Sequence, residues 1–288
     1  MIVILFTTGG FGSTIEYIVR QFSKEFESTD TAISTDGSMH GFKKEYHPVS
    51  SSELRQLKNH PHKITSVIYP NCDQSASDVL SLFKSVTDHH DQIIFISCPT
   101  VKDYTLATLC AIGKTPILNN TEILVDSHAH KWNSDYTSVA DMKLWERREL
   151  ISLTLLGNMN QIVSCTDGQP PSWFKTSVCN ITADLYRLSL KILEYLKLTS
   201  IDHVALQEFV QQWMLAQQPY IKQAELIDLI VETIISKQEF AWSTLSFAEE
   251  ALIQCRLLHA GYEIQCDGLD EFPTDTHTFR KIIFTKVH

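Results

Sequence analysis

The feature of the sequence that most constrains its fold is the stretch formed by its first twenty-six residues. An apolar run from Ile2 to Phe6 leads into the glycine-rich segment Thr7-Thr8-Gly9-Gly10-Phe11-Gly12-Ser13-Thr14. Apolar residues then recur at helical spacing at positions 15, 18, 19, 22 and 26. A strand, a glycine loop and a helix in this order are typical of the start of a nucleotide-binding α/β domain. The stretch therefore predicts that the chain begins with such a unit.

The loop itself predicts a binding site for a phosphate-bearing ligand. Glycines let a backbone approach a phosphate closely, and the N–H groups of a first helical turn, together with the helix dipole, favour negative charge there. The loop is not a Walker A motif, because no lysine or arginine precedes Arg20. It is not a dinucleotide fingerprint either, because Ile15 stands where a third glycine belongs. The candidate binding residues are Gly9, Gly10, Phe11, Gly12, Ser13 and Thr14.

A purely structural role for the same loop stays open. Ser13 and Glu16 have the S-x-x-E spacing of a capping box, which would satisfy the first N–H groups of the helix without any ligand. Glu16 would also oppose an anion if its side chain folded back over the helix end. The sequence therefore allows both a ligand site and a structural turn.

Composition narrows the classes of partner. The 288 residues are 43 % hydrophobic and 20 % charged, which is ordinary for a globular protein. The formal net charge is −10, and no basic run exceeds two residues, so we expect no nucleic-acid partner and no anionic membrane surface. Local donors, instead of a general positive field, would have to hold an anionic ligand.

The seven cysteines and the apolar runs indicate a cellular compartment. An odd number of cysteines without a C-x-x-C pair predicts reduced thiols, most of them in the core. We find no signal-peptide pattern and no run near the ~20 apolar residues that a membrane span needs. The expectation is a soluble, cytoplasmic protein without membrane insertion, whose oligomeric state stays open.

Two halves of the chain differ in their secondary-structure pattern. Residues 1–115 alternate strands (64–69 and 92–97 after the first) with helices (74–86 and 103–112), which predicts a mainly parallel sheet flanked by helices. Residues 116–288 are mostly helical, with helices expected at 142–156, 181–196, 204–216, 224–235 and 247–259. Strands are expected there at 161–165, 177–180, 262–266 and 281–284. We predict an α/β fold in a single domain, 1–288, with a P-loop-like nucleotide-binding core at 1–115 and a helical completion at 116–288.

A polar segment after the first unit offers candidates for acid–base chemistry. His40, Glu45 and His47 follow early elements of the predicted sheet, and loops after the carboxyl ends of strands gather over the ligand crevice. An unprotonated histidine or a glutamate there could act as general base on an acceptor hydroxyl. Lys43 and Lys44 would add positive charge. A solvated loop without catalytic function is the alternative.

Two further groups of residues are candidate anion and metal ligands. Arg147, or Arg148 with Ser152 one helical turn further on, would suit a phosphate or sulfate, although neighbouring glutamates could pair with these arginines instead. Asp126, His128 and His130 alternate as they would on one face of a strand. No second ligand cluster accompanies them, so we expect no metal.

The order of these parts resembles the P-loop sulfotransferases, over about residues 1–200. Gly12-Ser13-Thr14 stands at the loop that grips the 5′-phosphosulfate in that family. Residues 93–99 lead into Asp103-Tyr104-Thr105-Leu106, where the family has the strand and helix that hold the 3′-phosphate. Residues 180–184 and 191–198 match a later helical segment.

The resemblance implies transfer of a sulfuryl group from 3′-phosphoadenosine 5′-phosphosulfate to a hydroxyl or amine of a small-molecule or glycan acceptor, without a metal. It assigns the donor to Ser13, Thr14 and Thr105. The family's basic loop residue is absent, and Ser97-Cys98 replaces the arginine that usually ends the second strand. Two alternatives stay open: a binding or assembly protein that has lost catalysis, and a sugar-nucleotide-dependent glycosyltransferase.

Overall fold

The computed structural model describes residues 1–7, 9–23, 25–26, 64–68, 76–88, 90–114, 155–157, 159–160, 162–163, 169–236, 247–266 and 282–286. The chain divides into two compact units. Unit 1 comprises Met1–Lys114 and Gln161–Ile221, and unit 2 comprises Thr115–Asn160 and Lys222–His288. The predicted division at 115 coincides with the end of the first segment of unit 1, whereas residues 161–221 return to that unit. The organisation as one domain stays a prediction.

Unit 1 is built on a four-stranded sheet in which every neighbouring pair is parallel, in the order β2-β1-β3-β4. Ile2 pairs with Ile64 on one side and with Gln92 on the other. The sheet confirms the predicted α/β class with a parallel sheet and flanking helices. Its strands are β1 (Ile2–Phe6), β2 (Ile64–Ile68), β3 (Gln92–Ser97) and β4 (Phe174–Ser177).

Six of the helices whose bounds the structure describes begin in unit 1. They are α1 (Gly12–Phe22), α2 (Ala76–Val86), α3 (Val101–Lys114), α4 (Val178–Ala183), α5 (Leu185–Tyr195) and α6 (His203–Ile235), and α7 (Phe247–His259) lies in unit 2. The residues of α6 from Lys222 onward belong to unit 2.

Burial on both faces explains why the central strands are apolar runs. All five residues of β1 are buried, as are the last five of β3. On one face, Leu5 and Phe95 share a core cluster with Phe83 of α2. On the other face, Ser66 of β2 bonds to a residue of α1. Parallel strands that are covered by helices on both faces are continuous apolar runs and do not alternate polar with apolar residues. Such runs predict these strands from the sequence.

Two predicted strands are wrong where the structure describes them. Ile162 and Val163, within the predicted strand 161–165, are helical. The strand predicted at 177–180 lies earlier, because Ser177 ends β4 and its hydroxyl accepts the N–H of Asn180. This side-chain cap begins α4 where sequence pattern alone suggested extended chain.

Three helix boundaries also differ from the prediction. The helix predicted at 103–112 continues through Gly113 to Lys114. The helix predicted at 181–196 is broken at Asp184, whose backbone is not helical (φ −157°, ψ 77°) and whose carboxylate accepts the N–H of Arg187. The helices predicted at 204–216 and 224–235 form one helix with Pro219 inside it. Buried residues on both sides of Pro219, including Trp213 and Ile227, hold the two halves in helical conformation.

Unit 2, in its described part, pairs helices with a small antiparallel sheet. Strands β5 (Tyr262–Cys266) and β6 (Ile282–Lys286) form that sheet. The guanidinium of Arg256 on α7 forms a salt bridge with Asp228 on α6. Gln223 donates to Glu249 over 3.0 Å between the same two helices. Among the described helices, none is both long and apolar enough to cross a membrane.

The described cysteines confirm the expectation of core thiols. Cys98, Cys110 and Cys255 are free and buried, and Cys179 is free and partly exposed. Cys255 lies in α7, where burial raises the pKa of its thiol from the ordinary 9.0 to about 12, against a smaller lowering by Arg256. The folded protein therefore keeps this thiol protonated at pH values at which the unfolded chain ionises it.

This pKa predicts a loss of stability at alkaline pH that depends on Cys255. Below pH 9 the thiol is protonated in both states, so its contribution is fully present. Between about pH 9 and 12 only the unfolded thiol ionises, which lowers the free energy of unfolding by about 1.4 kcal/mol per pH unit at most. Urea unfolding at pH 8 to 11 should show a flatter profile for Cys255→Ala than for the wild type. Equal slopes would show that the thiol does not stay protonated.

Candidate functional site

The strand order places a topological switch point between β1 and β3. From β1 the chain crosses to β2 on one side, and from β3 it crosses to β4 on the other. In open parallel sheets, ligands bind in the crevice at the carboxyl ends of strands at such a point. The segments that reach this edge are the glycine loop after β1 and residues 98–100 after β3.

The glycine loop turns tightly into α1. The N–H of Gly10 donates to the carbonyl of Thr7 over 2.7 Å. Phe11 is left-handed, with φ 63° and ψ 17°, and is the N-cap residue of the helix that begins at Gly12. A left-handed residue followed by a right-handed one turns successive N–H groups toward a common side, a geometry that forms anion-binding concavities. The loop therefore presents donors at the switch point.

The start of α1 is not capped by a side chain. Phe11 offers no side-chain acceptor, and the first helical bond to it is made by the N–H of Ile15, over 3.1 Å. Among the described residues, none accepts a hydrogen bond from the N–H groups of Gly12, Ser13 or Thr14. Three backbone donors therefore remain for a ligand or for water.

The capping box considered from the sequence is absent, because Glu16 bonds elsewhere. Its side chain is 1 % exposed and accepts hydrogen bonds from Arg20 (3.2 Å) and from Ser66 on β2 (2.6 Å). Arg20 also donates to the carbonyl of Ile64 over 2.8 Å. Glu16 thus faces the sheet, where it joins α1 to β2, and does not fold back over the helix start.

Two glycines of the loop are required by contacts within the protein. A Cβ atom added to Gly9 (φ 76°) would lie 1.8 Å from the carbonyl oxygen of Ala107 on α3. A Cβ atom on Gly12 would lie 2.0 Å from the ring of Phe6. Close packing therefore accounts for these two glycines, which the sequence alone assigns to a phosphate-binding loop.

Helix α6 packs against the loop through an aromatic contact. The rings of Phe11 and Trp213 meet edge to face, with centroids 4.9 Å apart and planes at 81°. One turn earlier on α6, Phe209 packs against Tyr17 and Phe22 of α1. The loop is consequently fixed between β1, α3 and α6.

A buried carboxylate connects the ends of β3 and β4. Asp103 is 2 % exposed and accepts the hydroxyl of Thr100 over 2.6 Å and the N–H of Cys179 over 2.7 Å. Burial, and to a smaller extent the charge of Asp103 and the nearby Cys179, raise the pKa of the Cys98 thiol well above its ordinary value. Cys98 is therefore a neutral thiol at the switch point and a poor nucleophile.

The structure brings together only some of the residues predicted for the site. Gly9, Gly10, Phe11, Gly12, Ser13 and Thr14 lie at the switch point. Thr105 lies on α3 with 1 % exposure, and its hydroxyl donates to the carbonyl of Val101 over 2.7 Å. His40, Glu45, His47, Arg147, Arg148 and Ser152 lie outside the described residues, as do Lys43, Lys44, Asp126, His128 and His130. Within the described ranges, no group of three His, Cys, Asp or Glu residues could hold a metal.

Sequence reasoning missed three residues that shape the site. The Thr100-x-x-Asp103 spacing is a capping signal that could have drawn attention to Asp103. Ala107 and Trp213 carry no local signal, because their contacts depend on how the helices pack. No protein-family model, no curated protein and no solved structure matches the chain.

Proposed function

We propose that unit 1 binds a phosphate- or sulfate-bearing ligand at the amino end of α1. The observation that carries this proposal is the set of three N–H groups, at Gly12, Ser13 and Thr14, which have no acceptor among the described residues and stand at the switch point. The helix dipole adds about half a positive charge there. Residues 7–19 contain no lysine or arginine, so these neutral donors carry the binding.

The reaction that we propose to test first is sulfuryl transfer from 3′-phosphoadenosine 5′-phosphosulfate. Its support is the resemblance to P-loop sulfotransferases, together with the position of the segments that carry it: residues 12–14 begin α1, and residues 93–97 belong to β3, which neighbours β1. In this reaction the sulfur–oxygen bond to the donor breaks as a bond to the acceptor oxygen or nitrogen forms. A base, for which His40, Glu45 and His47 remain candidates, takes the acceptor's proton.

A binding protein without catalysis is the second candidate. It is favoured because close contacts within the protein explain why glycine stands at positions 9 and 12. It is also favoured because the hydroxyl of Thr105 already donates to a backbone carbonyl. A glycosyltransferase has less support, since it predicts a second parallel sheet. In the described part of unit 2, the only sheet is the antiparallel pair β5-β6.

The test is calorimetric titration with adenosine 3′,5′-bisphosphate of the wild type and of two Ser13 variants. Ser13 is half-buried in the first turn of α1. Ser13→Glu places a carboxylate among the donors, whereas Ser13→Gln has nearly the same size without the charge. We expect micromolar binding that Ser13→Gln keeps within about threefold and Ser13→Glu loses by tenfold or more.

A loss of affinity in Ser13→Glu would not result from unfolding, because an acidic residue in a first helical turn stabilises the helix. Equal affinity of the two variants, or no binding by the wild type, would contradict the proposed site. Binding of the nucleotide without sulfuryl transfer from 3′-phosphoadenosine 5′-phosphosulfate to any of a panel of hydroxyl and amine acceptors would favour the second candidate.

A further inference from the structure

We infer that the indole N–H of Trp213 is a side-chain donor to the anion bound at the amino end of α1. The inference rests on the proposed function and adds to it a specific binding residue on a different element, α6. It is carried by the burial of Trp213, by its contact with Phe11 of the loop and by the lack of an acceptor for its nitrogen among the described residues.

Trp213 has a buried polar atom without a hydrogen-bond partner in the described part of the chain. The side chain is 0 % exposed, and within the described part of the chain its Nε1 has no hydrogen-bond partner. Buried N–H groups without an acceptor are rare in native structures because they lose their bond to water without compensation. An acceptor from a ligand at the neighbouring helix start would complete this group.

The position of Trp213 follows from the face of α6 on which it lies. Phe209, Trp213 and Gln217 are four residues apart, so they project from one side of the helix. Phe209 contacts α1, and Gln217 accepts a hydrogen bond from the thiol of Cys110 on α3. Trp213 lies between them, against Phe11, which is the residue that directs the N–H groups of the loop.

The chemistry of this donor set defines the ligand group that it would hold. Backbone N–H groups and an indole N–H donate hydrogen bonds and accept none. A tetrahedral oxyanion without a proton, such as a sulfate group or a fully ionised phosphate, can accept from all of them. A protonated phosphate oxygen would find no acceptor among these groups. The site would therefore bind sulfate and ionised phosphate groups in preference to protonated ones.

The competing role for the indole is a contact with the face of the Phe11 ring. Two rings at 81° with centroids 4.9 Å apart are compatible with an N–H directed at an aromatic face. In that case the indole would be satisfied within the protein and would make no contribution to ligand binding. The experiment has to separate these two roles.

We would titrate the full chain, Trp213→Phe and Trp173→Phe with adenosine 3′,5′-bisphosphate and with inorganic sulfate. Trp173 is the matched control, since it is also buried in unit 1 but packs against Phe95 on the far side of the sheet. Both substitutions remove an indole N–H and keep an aromatic ring. We expect the dissociation constant to rise about tenfold for Trp213→Phe and to stay within twofold for Trp173→Phe.

A spectroscopic measurement on the wild type keeps the inference testable if Trp213→Phe folds poorly. The indole N–H resonance of ¹⁵N-labelled Trp213 should move downfield on addition of either ligand, while that of Trp173 stays in place. Wild-type binding with an unmoved Trp213 resonance, or with unchanged affinity in Trp213→Phe, would overturn the inference and leave the proposed function standing. No binding by the wild type would overturn both.

Discussion

Replacing Gly9 with alanine is expected to prevent unit 1 from folding stably. The added Cβ atom would lie 1.8 Å from the carbonyl oxygen of Ala107 and 3.1 Å from the backbone nitrogen of Ala111, so a backbone segment of α3 would have to move. The left-handed conformation of Gly9 adds about 1–2 kcal/mol for a residue with a Cβ atom. Together with the steric displacement, we expect a loss above about 4 kcal/mol, which is exceptional for a single substitution.

Gly261→Ala is the matched control for this prediction. Gly261 has nearly the same backbone conformation, φ 82°, but a Cβ atom there would meet nothing within 4 Å. Only the conformational cost of about 1–2 kcal/mol should therefore appear. Urea unfolding followed by amide hydrogen exchange in β1 and β3 would measure the effect on unit 1. Similar losses for the two variants would contradict the close contact between the loop and α3.

Replacing Glu16 with alanine is expected to destabilise unit 1 by about 3–5 kcal/mol, the cost typical of removing one partner from a buried ion pair. The carboxylate is 1 % exposed and joins Arg20 of α1 to Ser66 of β2. Without it, Arg20, whose side chain is 12 % exposed, loses this ion pair while its hydrogen bond to the carbonyl of Ile64 remains. A partly buried guanidinium would then lose the charge of Glu16 beside it.

The control is Glu25→Ala, since Glu25 is exposed and lies shortly after the end of α1. Exposed substitutions of this kind usually change stability by less than about 0.5 kcal/mol. Glu16→Gln should lie between the two, because it keeps the acceptor for Ser66 and loses the charge. A loss below about 1 kcal/mol for Glu16→Ala, by urea unfolding, would show that the buried pair does not join α1 to the sheet.

The sequence predicts best the bounds of those elements whose apolar pattern ends at the same residues as their burial. Strands β1 and β3 are apolar runs ended by polar or small residues, and their bounds match the predicted ones. Helix α7 likewise matches the prediction at 247–259. In each case the apolar pattern and its ends coincide with the burial that the fold requires.

The failures occur where a single capping side chain, or burial in the tertiary structure, decides the conformation. The cap by Ser177 and the break at Asp184 each depend on one side-chain oxygen that accepts a backbone N–H. Two helices are predicted at 204–216 and 224–235, where buried residues on both sides of Pro219 preserve a single helix. Propensity is a weak prior, and tertiary contacts override it at such positions.

For the candidate site, the sequence locates the loop but not its surroundings. The spacing of glycines and apolar residues placed the strand, turn and helix of residues 2–22 in the right order. It could not show that Glu16 faces β2, that Ala107 fills the space beside Gly9, or that Trp213 covers Phe11. These contacts join residues about 50 to 200 positions apart, and they follow from a strand order that local patterns do not encode.

The central claim is that an anion binds at the amino end of α1, and amide chemical-shift mapping tests it most directly. A ¹⁵N-labelled, deuterated sample would be titrated with adenosine 3′,5′-bisphosphate while the backbone N–H resonances are followed. We predict that the largest downfield shifts fall on Gly12, Ser13 and Thr14, with smaller shifts at Cys98 and Thr100 across the switch point. Binding whose largest shifts lie elsewhere in the chain, with residues 12–14 unmoved, would contradict the account.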